Sequence, residues 1–298
     1  MSAPASPRTL TQRAVIDRSA AERTEPGLVD ALRADPAVRV LAVRRDAVPV
    51  GEDDRLRLLP VAAVPGDTRW AFLGRLADGA PLLLAAVGDE DLPDEPWRAL
   101  RTAAAGLDPA EAAWAVEAVS LARWQRDAPF CPACGTETDL VQAGWARECP
   151  NCRRMHFPRT DPAVIVAVTD PSGDRLLLGA NAAWGQSRYS CFAGFAEAGE
   201  SLETTVEREV AEEAGVQVTE IAYRGSQPWP YPRSLMLGFR AVAPEPAQAE
   251  ADGEEIVEVR WFTRDEVARA FAGEGEVTLP GPASIAHRLI AEWLGERE

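Results

Sequence analysis

The chain has 298 residues, of which 46% are hydrophobic, so it is long enough to bury the cores of two domains. Its formal net charge is −16, and all 31 basic residues are arginine. Proteins that follow a nucleic-acid backbone usually carry a basic patch. The composition therefore disfavours a long nucleic-acid track and leaves a short RNA end in a pocket open. There is no apolar run at the N-terminus that could direct export, and none elsewhere that could cross a bilayer. We therefore predict a cytoplasmic protein without a membrane partner.

The N-terminal part, residues 1–127, is expected to form an α+β domain without obvious catalytic residues. Residues 1 to about 25 are polar and predict a loose leader. Apolar runs predict strands over 38–43, 56–59, 70–76 and 81–87. Asp108 as N-cap and Pro109 in the first turn predict a helix that runs to about Arg126.

Four of the five cysteines lie in two Cys-x-x-Cys pairs within residues 128–158: Cys131, Cys134, Cys149 and Cys152. In a chain without an export signal, this spacing indicates one tetrahedral Zn²⁺ held by four thiolates. Four thiolates leave no open position for water, so the predicted zinc is structural and not catalytic. Cys191 has no partner at metal-binding spacing and is expected to be a small core or pocket-wall residue.

The C-terminal part, residues 159–298, mixes strands and helices without a regular βαβ alternation. Strands are predicted over 163–168, 175–179, 235–242 and 256–262. Helices are predicted over 201–214, ended by Gly215, and over about 282–294. This order predicts a mixed sheet between helices, and the whole chain is placed in the α+β class.

The helix predicted over 201–214 carries Glu209, Glu212 and Glu213 at i, i+3 and i+4, so the three carboxylates project from one side. One interpretation is a solvated acidic face. At about 100° per residue, however, Glu213 lies within roughly 60° of the apolar positions, and a merely solubilising face should oppose the apolar stripe. The pattern favours a site for divalent cations, which neutralise a diphosphate and position water against it.

The segment from Gly194 to Val216 resembles the Nudix box, Gly-x5-Glu-x7-Arg-Glu-U-x-Glu-Glu-x-Gly-U with U aliphatic, at every fixed position. The resemblance implies that Glu209 and Glu213 bind Mg²⁺ or Mn²⁺. It makes Glu212 a further ligand or a water-orienting group, Arg208 a partner that orients a carboxylate, and Glu200 a support for the preceding loop.

A second segment, Ser226 to Met236, contains three prolines that alternate with other side chains, so it is stiff and cannot be a central strand. It is either a rigid connector or a preformed wall, with polar handles at Gln227 and Ser234 and stacking faces at Trp229 or Tyr231. It resembles the SQPWPFPxS array of the NADH pyrophosphatase branch of the Nudix family, with Tyr231 in place of Phe. The resemblance implies that substrate contacts Gln227, Pro228, Trp229, Pro230, Tyr231, Pro232, Arg233 and Ser234.

The order of parts is similar to that branch: an N-terminal Nudix-like domain at 1–127, a zinc ribbon at 128–158 and a catalytic Nudix domain at 159–298. The resemblance further implies metal contacts at the Ala193 carbonyl and at Glu255, with Glu254 as its near rival. Substrate contacts are implied at Ala286 and at Phe157, where the branch has a tyrosine. It also implies a homodimer.

The implied substrate is NAD(H) or an NAD-capped RNA end. Two rivals stay open: a Nudix hydrolase for another nucleoside diphosphate such as ADP-ribose, and a zinc-ribbon regulatory protein with an inactive Nudix domain. The first should lack the array from Ser226 to Ser234, which is present. The second need not keep every box carboxylate, yet all are present.

Overall fold

The structure is a computed structural model that describes residues 16–185 and 187–295. These residues fall into two compact units. The N-terminal unit comprises the described residues as far as Thr160 together with Pro230–Arg233, and the C-terminal unit comprises the rest. The division into three domains stays a prediction. Within the described ranges, every helix is too short or too polar to cross a lipid bilayer.

The described part of the N-terminal unit contains three small sheets and three α-helices. Its elements are α1 (Leu28–Arg33), β1 (Arg39–Val43), β2 (Ala47–Pro49), β3 (Arg69–Arg75), β4 (Pro81–Ala86), β5 (Trp97–Ala99), α2 (Leu100–Ala103), α3 (Pro109–Asp127), β6 (Asp139–Val141), β7 (Ala146–Glu148) and β8 (Met155–His156). The first sheet has the order β1-β4-β3, with β1 parallel and β3 antiparallel to β4. Strand β2 pairs with β5, and β6-β7-β8 form the third sheet. Three of the four predicted N-terminal strands are therefore confirmed, as β1, β3 and β4.

Helix α3 begins as predicted, because the Asp108 carboxylate accepts a hydrogen bond from the Ala110 amide at 2.9 Å. The helix buries Trp114 and Leu121. Beside it, the first sheet has a core of Val40, Phe72 and Leu83, none of which is exposed to solvent. Burial of such large apolar side chains is the main stabilising term for a unit of this size.

Two N-terminal predictions are wrong. Residues 56–59 form no strand: Leu56 and Leu59 each make only an isolated bridge, and the next residue, Pro60, has no amide hydrogen with which to continue pairing. Nor are residues 16–25 a loose leader. A 3₁₀ helix spans Ala20–Thr24, and Glu22 accepts two hydrogen bonds from the Arg75 guanidinium. Residues 1–15 lie outside the described part of the chain.

The C-terminal unit is built on one mixed sheet. Its elements are β9 (Asp161–Thr169), β10 (Arg175–Asn181), β11 (Phe192–Phe195), α4 (Leu202–Ala214), β12 (Thr219–Trp229), β13 (Ser234–Val242), β14 (Ile256–Thr263), α5 (Arg264–Phe271) and α6 (Ile285–Gly295). The strand order is β12-β13-β9-β10-β14, and β11 also pairs with β9. Only the β13–β9 pair is parallel among these described pairings. The predicted mixed sheet is confirmed.

Strand β9 shows why this sheet is covered on both faces. Val164, Val166 and Val168 pack with Val206 and Val210 of α4. The alternate residues, Ile165 and Ala167, pack on the other face in the cluster that contains residues of α6. Because successive strand side chains point to opposite faces, an unbroken apolar strand requires a layer on each side. The sandwich predicted for the C-terminal part is confirmed.

Some boundaries differ from the sequence-based expectations. Strand β12 was not expected, because its last residues belong to the proline-containing segment. Pro228 is tolerated there because β12 lies at the edge of the sheet. Helix α6 begins at Ile285, three residues after the predicted start at Pro282.

Candidate active site and zinc site

Helix α4 places the box glutamates in three different environments. The helix begins at the Ser201 N-cap, whose side chain accepts from the Thr204 amide, and ends at Gly215 with φ 68°. Glu213 is only 5% exposed, whereas the Glu212 side chain is 60% exposed and Glu209 lies between them. The burial of Glu213 beside the apolar stripe is the geometry that the helical spacing predicted.

Among Glu209, Glu212 and Glu213, Glu213 is the most strongly withdrawn from water. Burial, followed by the charges of Glu255 and Glu209, raises its pKa to about 8. One of its oxygens accepts a hydrogen bond from the Ala193 amide at 3.3 Å, which ties α4 to strand β11. A buried carboxylate among like charges is stabilised by a bound cation.

Glu209 lies against the backbone of Gly194. A Cβ atom at Gly194 would lie 2.0 Å from the Glu209 carboxyl carbon and 2.1 Å from each carboxylate oxygen. The glycine is therefore required by space and not by a left-handed backbone. Burial is the main cause that raises the pKa of Glu209, with the Glu212 and Glu255 charges adding to it.

Arg208 links Glu200, Glu209 and Glu212 through hydrogen bonds. Its guanidinium donates to both oxygens of Glu200 at 2.7 and 3.0 Å, to Glu209 at 2.8 Å and to Glu212 at 3.0 Å. It also donates to the carbonyl of Phe195 at 2.9 Å. The hydrogen bonds from Arg208, followed by that from the Glu197 amide, lower the pKa of Glu200 to about 2. This geometry fixes the loop before α4 and orients two carboxylates.

Glu255, and not Glu254, faces the box carboxylates. Its charge raises the pKa of Glu213 and Glu209, after burial in both cases, and its Oε1 accepts from the Asn181 amide group at 3.4 Å. The loop is shaped by Asp252, whose Oδ1 accepts from the amides of the next turn at 2.6 to 3.0 Å. Asn181 and Asp252 were missed by the sequence reasoning, because neither is marked by a local motif.

The four ribbon cysteines converge. Their Sγ atoms all lie within 4.8 Å of one another, with Cys131–Cys152 at 3.6 Å and Cys134–Cys149 at 3.5 Å. Tetrahedral Zn–S bonds of about 2.3 Å place sulfurs roughly 3.8 Å apart, whereas a disulfide needs about 2.05 Å. The cluster therefore fits Zn²⁺. Cys191 is buried in the α6 side of the core, and burial raises its thiol pKa to about 12, as expected for an inert core residue.

The proline-containing segment forms the end of the β12–β13 hairpin, with Trp229 paired to Ser234. Gln227 is 1% exposed and is already engaged: its amide nitrogen donates to the Ala283 carbonyl at 2.8 Å, and its oxygen accepts from the Ile285 amide at 2.7 Å. Gln227 therefore fixes the start of α6. Tyr231 lies between Trp229 and Ser234 in the chain. The Arg101 guanidinium covers one face of the Tyr231 ring, 4.7 Å from its centroid.

The remaining predicted contact residues differ in their exposure to solvent. Ser234 is buried, and Ala286 is buried in the first turn of α6. Phe157 follows β8 and is 43% exposed. Phe195, which was not singled out from the sequence, directly follows Gly194 and is 53% exposed. Its position inside the box was the signal that could have identified it.

Comparisons with known proteins agree with this geometry. Residues 159–279 match the NUDIX domain, and residues 126–157 match the NADH pyrophosphatase zinc ribbon domain. Proteins named NAD-capped RNA hydrolase NudC from Mycobacterium bovis and Mycobacterium tuberculosis are 41% identical over 235 residues, which is 74% of this chain and 74% of theirs. The Homo sapiens protein named NAD-capped RNA hydrolase NUDT12 is 38% identical over 194 residues, which is 62% of this chain and 42% of that protein.

With an intact box on α4, the chain belongs to the Nudix hydrolase family. Within that family it lies in the branch that carries the NADH pyrophosphatase zinc ribbon.

Proposed function

We propose that this enzyme hydrolyses the diphosphate bond of NAD(H), giving NMN(H) and AMP. On an NAD-capped RNA end the same reaction gives NMN and a 5′-monophosphate RNA. The observation that carries the proposal is the buried Glu213, which shares its surroundings with the like charges of Glu209 and Glu255. The NAD-capped RNA hydrolases that are 41% identical to the chain, and the matched ribbon, support the choice of substrate.

The oxygen ligands offered by α4 and its neighbouring segments fit Mg²⁺ or Mn²⁺. Carboxylate and carbonyl oxygens are the ligands that these hard cations prefer, and the proposed set is Glu209, Glu213, Glu255 and the Ala193 carbonyl. The mutual repulsion of these glutamates supports the assignment, since a cation would relieve it. A bound divalent ion would neutralise the diphosphate and activate a water.

The chain's own groups divide the remaining work. Arg208 keeps Glu209 and Glu212 in fixed orientations through its hydrogen bonds. Glu212, the exposed member, is a further ligand or the group that orients the attacking water. Arg208 donates to both oxygens of Glu200 and to the Phe195 carbonyl, which ties the loop before α4 to the helix.

The dinucleotide is bound by aromatic and proline-containing segments. Trp229 and the exposed ring of Phe195 offer stacking faces, while Ser234 offers a hydroxyl. Arg233, Phe157 and Ala286 complete the proposed substrate contacts, with Gln227 holding the backbone beside Ala286. The proposed enzyme is a cytoplasmic homodimer.

Hydrolysis rates of the purified full chain test the proposal. NADH, NAD⁺, ADP-ribose and a short NAD-capped RNA are compared with Mg²⁺ and with Mn²⁺, and product masses identify the broken bond. NMN(H) and AMP should form from NADH, and faster than any product from ADP-ribose. A preference for ADP-ribose would assign the site to another nucleoside diphosphate. No hydrolysis of any substrate would identify a regulatory protein with an inactive box.

A further inference from the structure

The N-terminal unit contains a cavity of about 610 Å³, which lies within the size range of small-molecule sites, about 300–1,000 Å³. It lies where the parallel strands β1 and β4 end: Val43 pairs with Ala86, and the wall includes Arg45 just after β1 and Val87 just after β4. The space outside the carboxyl ends of parallel strands is a common ligand position in open sheets. The proposed reaction uses none of these residues.

Several charges in the cavity wall are already neutralised. Arg45 donates to both oxygens of Asp89, and Arg126 donates to Asp127. Asp91 accepts from the Gly88 amide at 2.7 Å. These contacts shape the wall. The ion-paired Arg45, Asp89 and Arg126 offer little charge to a ligand, whereas Asp91 keeps its negative charge.

Two donors in the same wall are left without partners. Arg123 of α3 makes no hydrogen bond and no ion pair with any described residue, and its Nε is buried. The Thr68 hydroxyl is also buried and has no hydrogen-bond partner there. Next to it, Arg69 uses one nitrogen on the Gln125 carbonyl at 3.2 Å. Unsatisfied buried polar groups are rare in folded proteins and mark positions where a ligand or water completes the bonding.

Two carboxylates that are unpaired within the described part of the cavity wall indicate that the ligand also carries hydrogen-bond donors. Asp46 and Asp67 line it and make no side-chain hydrogen bond or ion pair within the described ranges. A simple anion would be repelled by them, whereas a ligand that also carries hydroxyl groups can donate to them. Guanidinium and hydroxyl donors suit a phosphate, and carboxylates suit a sugar diol.

We propose that this cavity binds a sugar phosphate of the ribose 5-phosphate type, either free or as part of a mononucleotide. Arg123, Arg69 and Thr68 hold the phosphate, and Asp46 and Asp67 accept from the sugar hydroxyls. The proposed cavity site shares no residue with the box and takes no part in the proposed hydrolysis.

Calorimetric titration of the full chain without added divalent metal tests the site, with ribose 5-phosphate as the probe. Arg123→Gln should weaken binding about tenfold or more, which is the usual contribution of a hydrogen bond to a charged group. Arg57→Gln removes the same charge from an exposed position outside the cavity and should leave binding unchanged. Equal binding in wild type and Arg123→Gln would overturn the proposal.

Two further arms identify the site and the ligand class. Asp67→Asn should weaken binding of ribose 5-phosphate but not of inorganic phosphate, and AMP should bind while ribose should not. Glu213→Gln should retain the binding, since that residue belongs to the proposed catalytic site. Binding that is lost in Glu213→Gln but kept in Arg123→Gln and Asp67→Asn would place the ligand at the box and sink the proposal. Inorganic phosphate that binds as tightly as ribose 5-phosphate would refute the sugar half.

Discussion

The zinc ribbon and the proposed divalent-metal site on α4 differ in how closely their ligand atoms approach one another in the fold. The ribbon thiols already lie at distances that suit tetrahedral zinc, all within 4.8 Å of one another. Within residues 16–185 and 187–295, the carboxylates of Glu209, Glu213 and Glu255 do not converge that tightly. They come from α4 and from the loop before β14. After burial, the charge of Glu255 raises the pKa of both Glu213 and Glu209, and the charge of Glu209 also raises that of Glu213.

The difference follows from what each site does. A structural zinc site is closed, because four soft ligands fill the coordination sphere and the free energy of binding becomes free energy of folding. A hydrolytic site must keep coordination positions for water and substrate, so its hard ligands stay apart. Mg²⁺ also keeps several of its waters, and its protein ligands therefore need not converge.

The largest effect is expected at the ribbon. Cys149→Ser should abolish the binding of one zinc per chain and unfold the ribbon, because structural zinc contributes roughly 10 kcal/mol or more to folding in small domains. Elemental analysis and thermal melting measure both. Cys191→Ser is the matched control, since this buried thiol lies outside the cluster and zinc content should not change. If the native protein contained no zinc, the four cysteines would not form a structural zinc site and the prediction would be wrong.

At the proposed divalent-metal site on α4, a substitution should lower the rate of hydrolysis without lowering the folding stability. Glu213→Gln keeps the volume and removes the charge, so kcat should fall by a factor on the order of a hundred or more, roughly 3 kcal/mol. Melting temperature without added metal should stay the same or rise, because like-charge repulsion is relieved. Glu207→Gln, on the exposed face of the same helix, should keep kcat. Wild-type turnover in the Glu213 variant would make α4 an ordinary acidic helix.

A smaller loss is expected at the glycine that accommodates Glu209. Gly194→Ala would bring a methyl group to 2.1 Å from the carboxylate oxygens, so the side chain must move and the metal site with it. We expect kcat to fall about tenfold or more, with the half-saturating metal concentration raised, since small misplacements cost large factors. Gly66→Ala meets no atom within 4 Å and is the control. Unchanged metal dependence in Gly194→Ala would show that the position of Glu209 is not needed.

A substitution at Gln227 tests the proposed substrate contacts near the start of α6. Gln227→Leu leaves the Ala283 carbonyl and the Ile285 amide without their partner, at a cost of about 1–3 kcal/mol each. The start of α6 should loosen, and KM for NADH should rise more than kcat falls. Gln217→Leu, at an exposed position, should change neither. A kcat loss with KM unchanged would indicate that Gln227 acts in the chemistry.

The smallest effect is on pH dependence. The folded pKa of Glu213, about 8, lies above its ordinary value of 4.5, so between these values the folded metal-free protein holds more protons than the unfolded chain. The free energy of unfolding should therefore decrease as pH rises through this window. Thermal melts at pH 5 and pH 8 measure the decrease, which Glu213→Gln should reduce. An identical pH dependence in the variant would mean that Glu213 titrates normally.

The sequence by itself determined the features that are local in the chain. The cysteine spacing identified the zinc ligands, and the turn of a helix placed Glu209 and Glu213 beside the apolar stripe, because both patterns depend on residues only a few positions apart. The unbroken apolar run of β9 likewise required a layer on each face of its sheet.

Only the tertiary structure decided contacts between segments that are distant in the chain. The resemblance favoured Glu255 with Glu254 as its near rival, and which of them faces α4 depends on the turn around Asp252. The amide of Gln227 could have been offered to a ligand, but the fold brings the start of α6 to within hydrogen-bonding distance of it. The residue type determines whether a side chain is polar. Its hydrogen-bonding partner depends on which strands and helices pack against it.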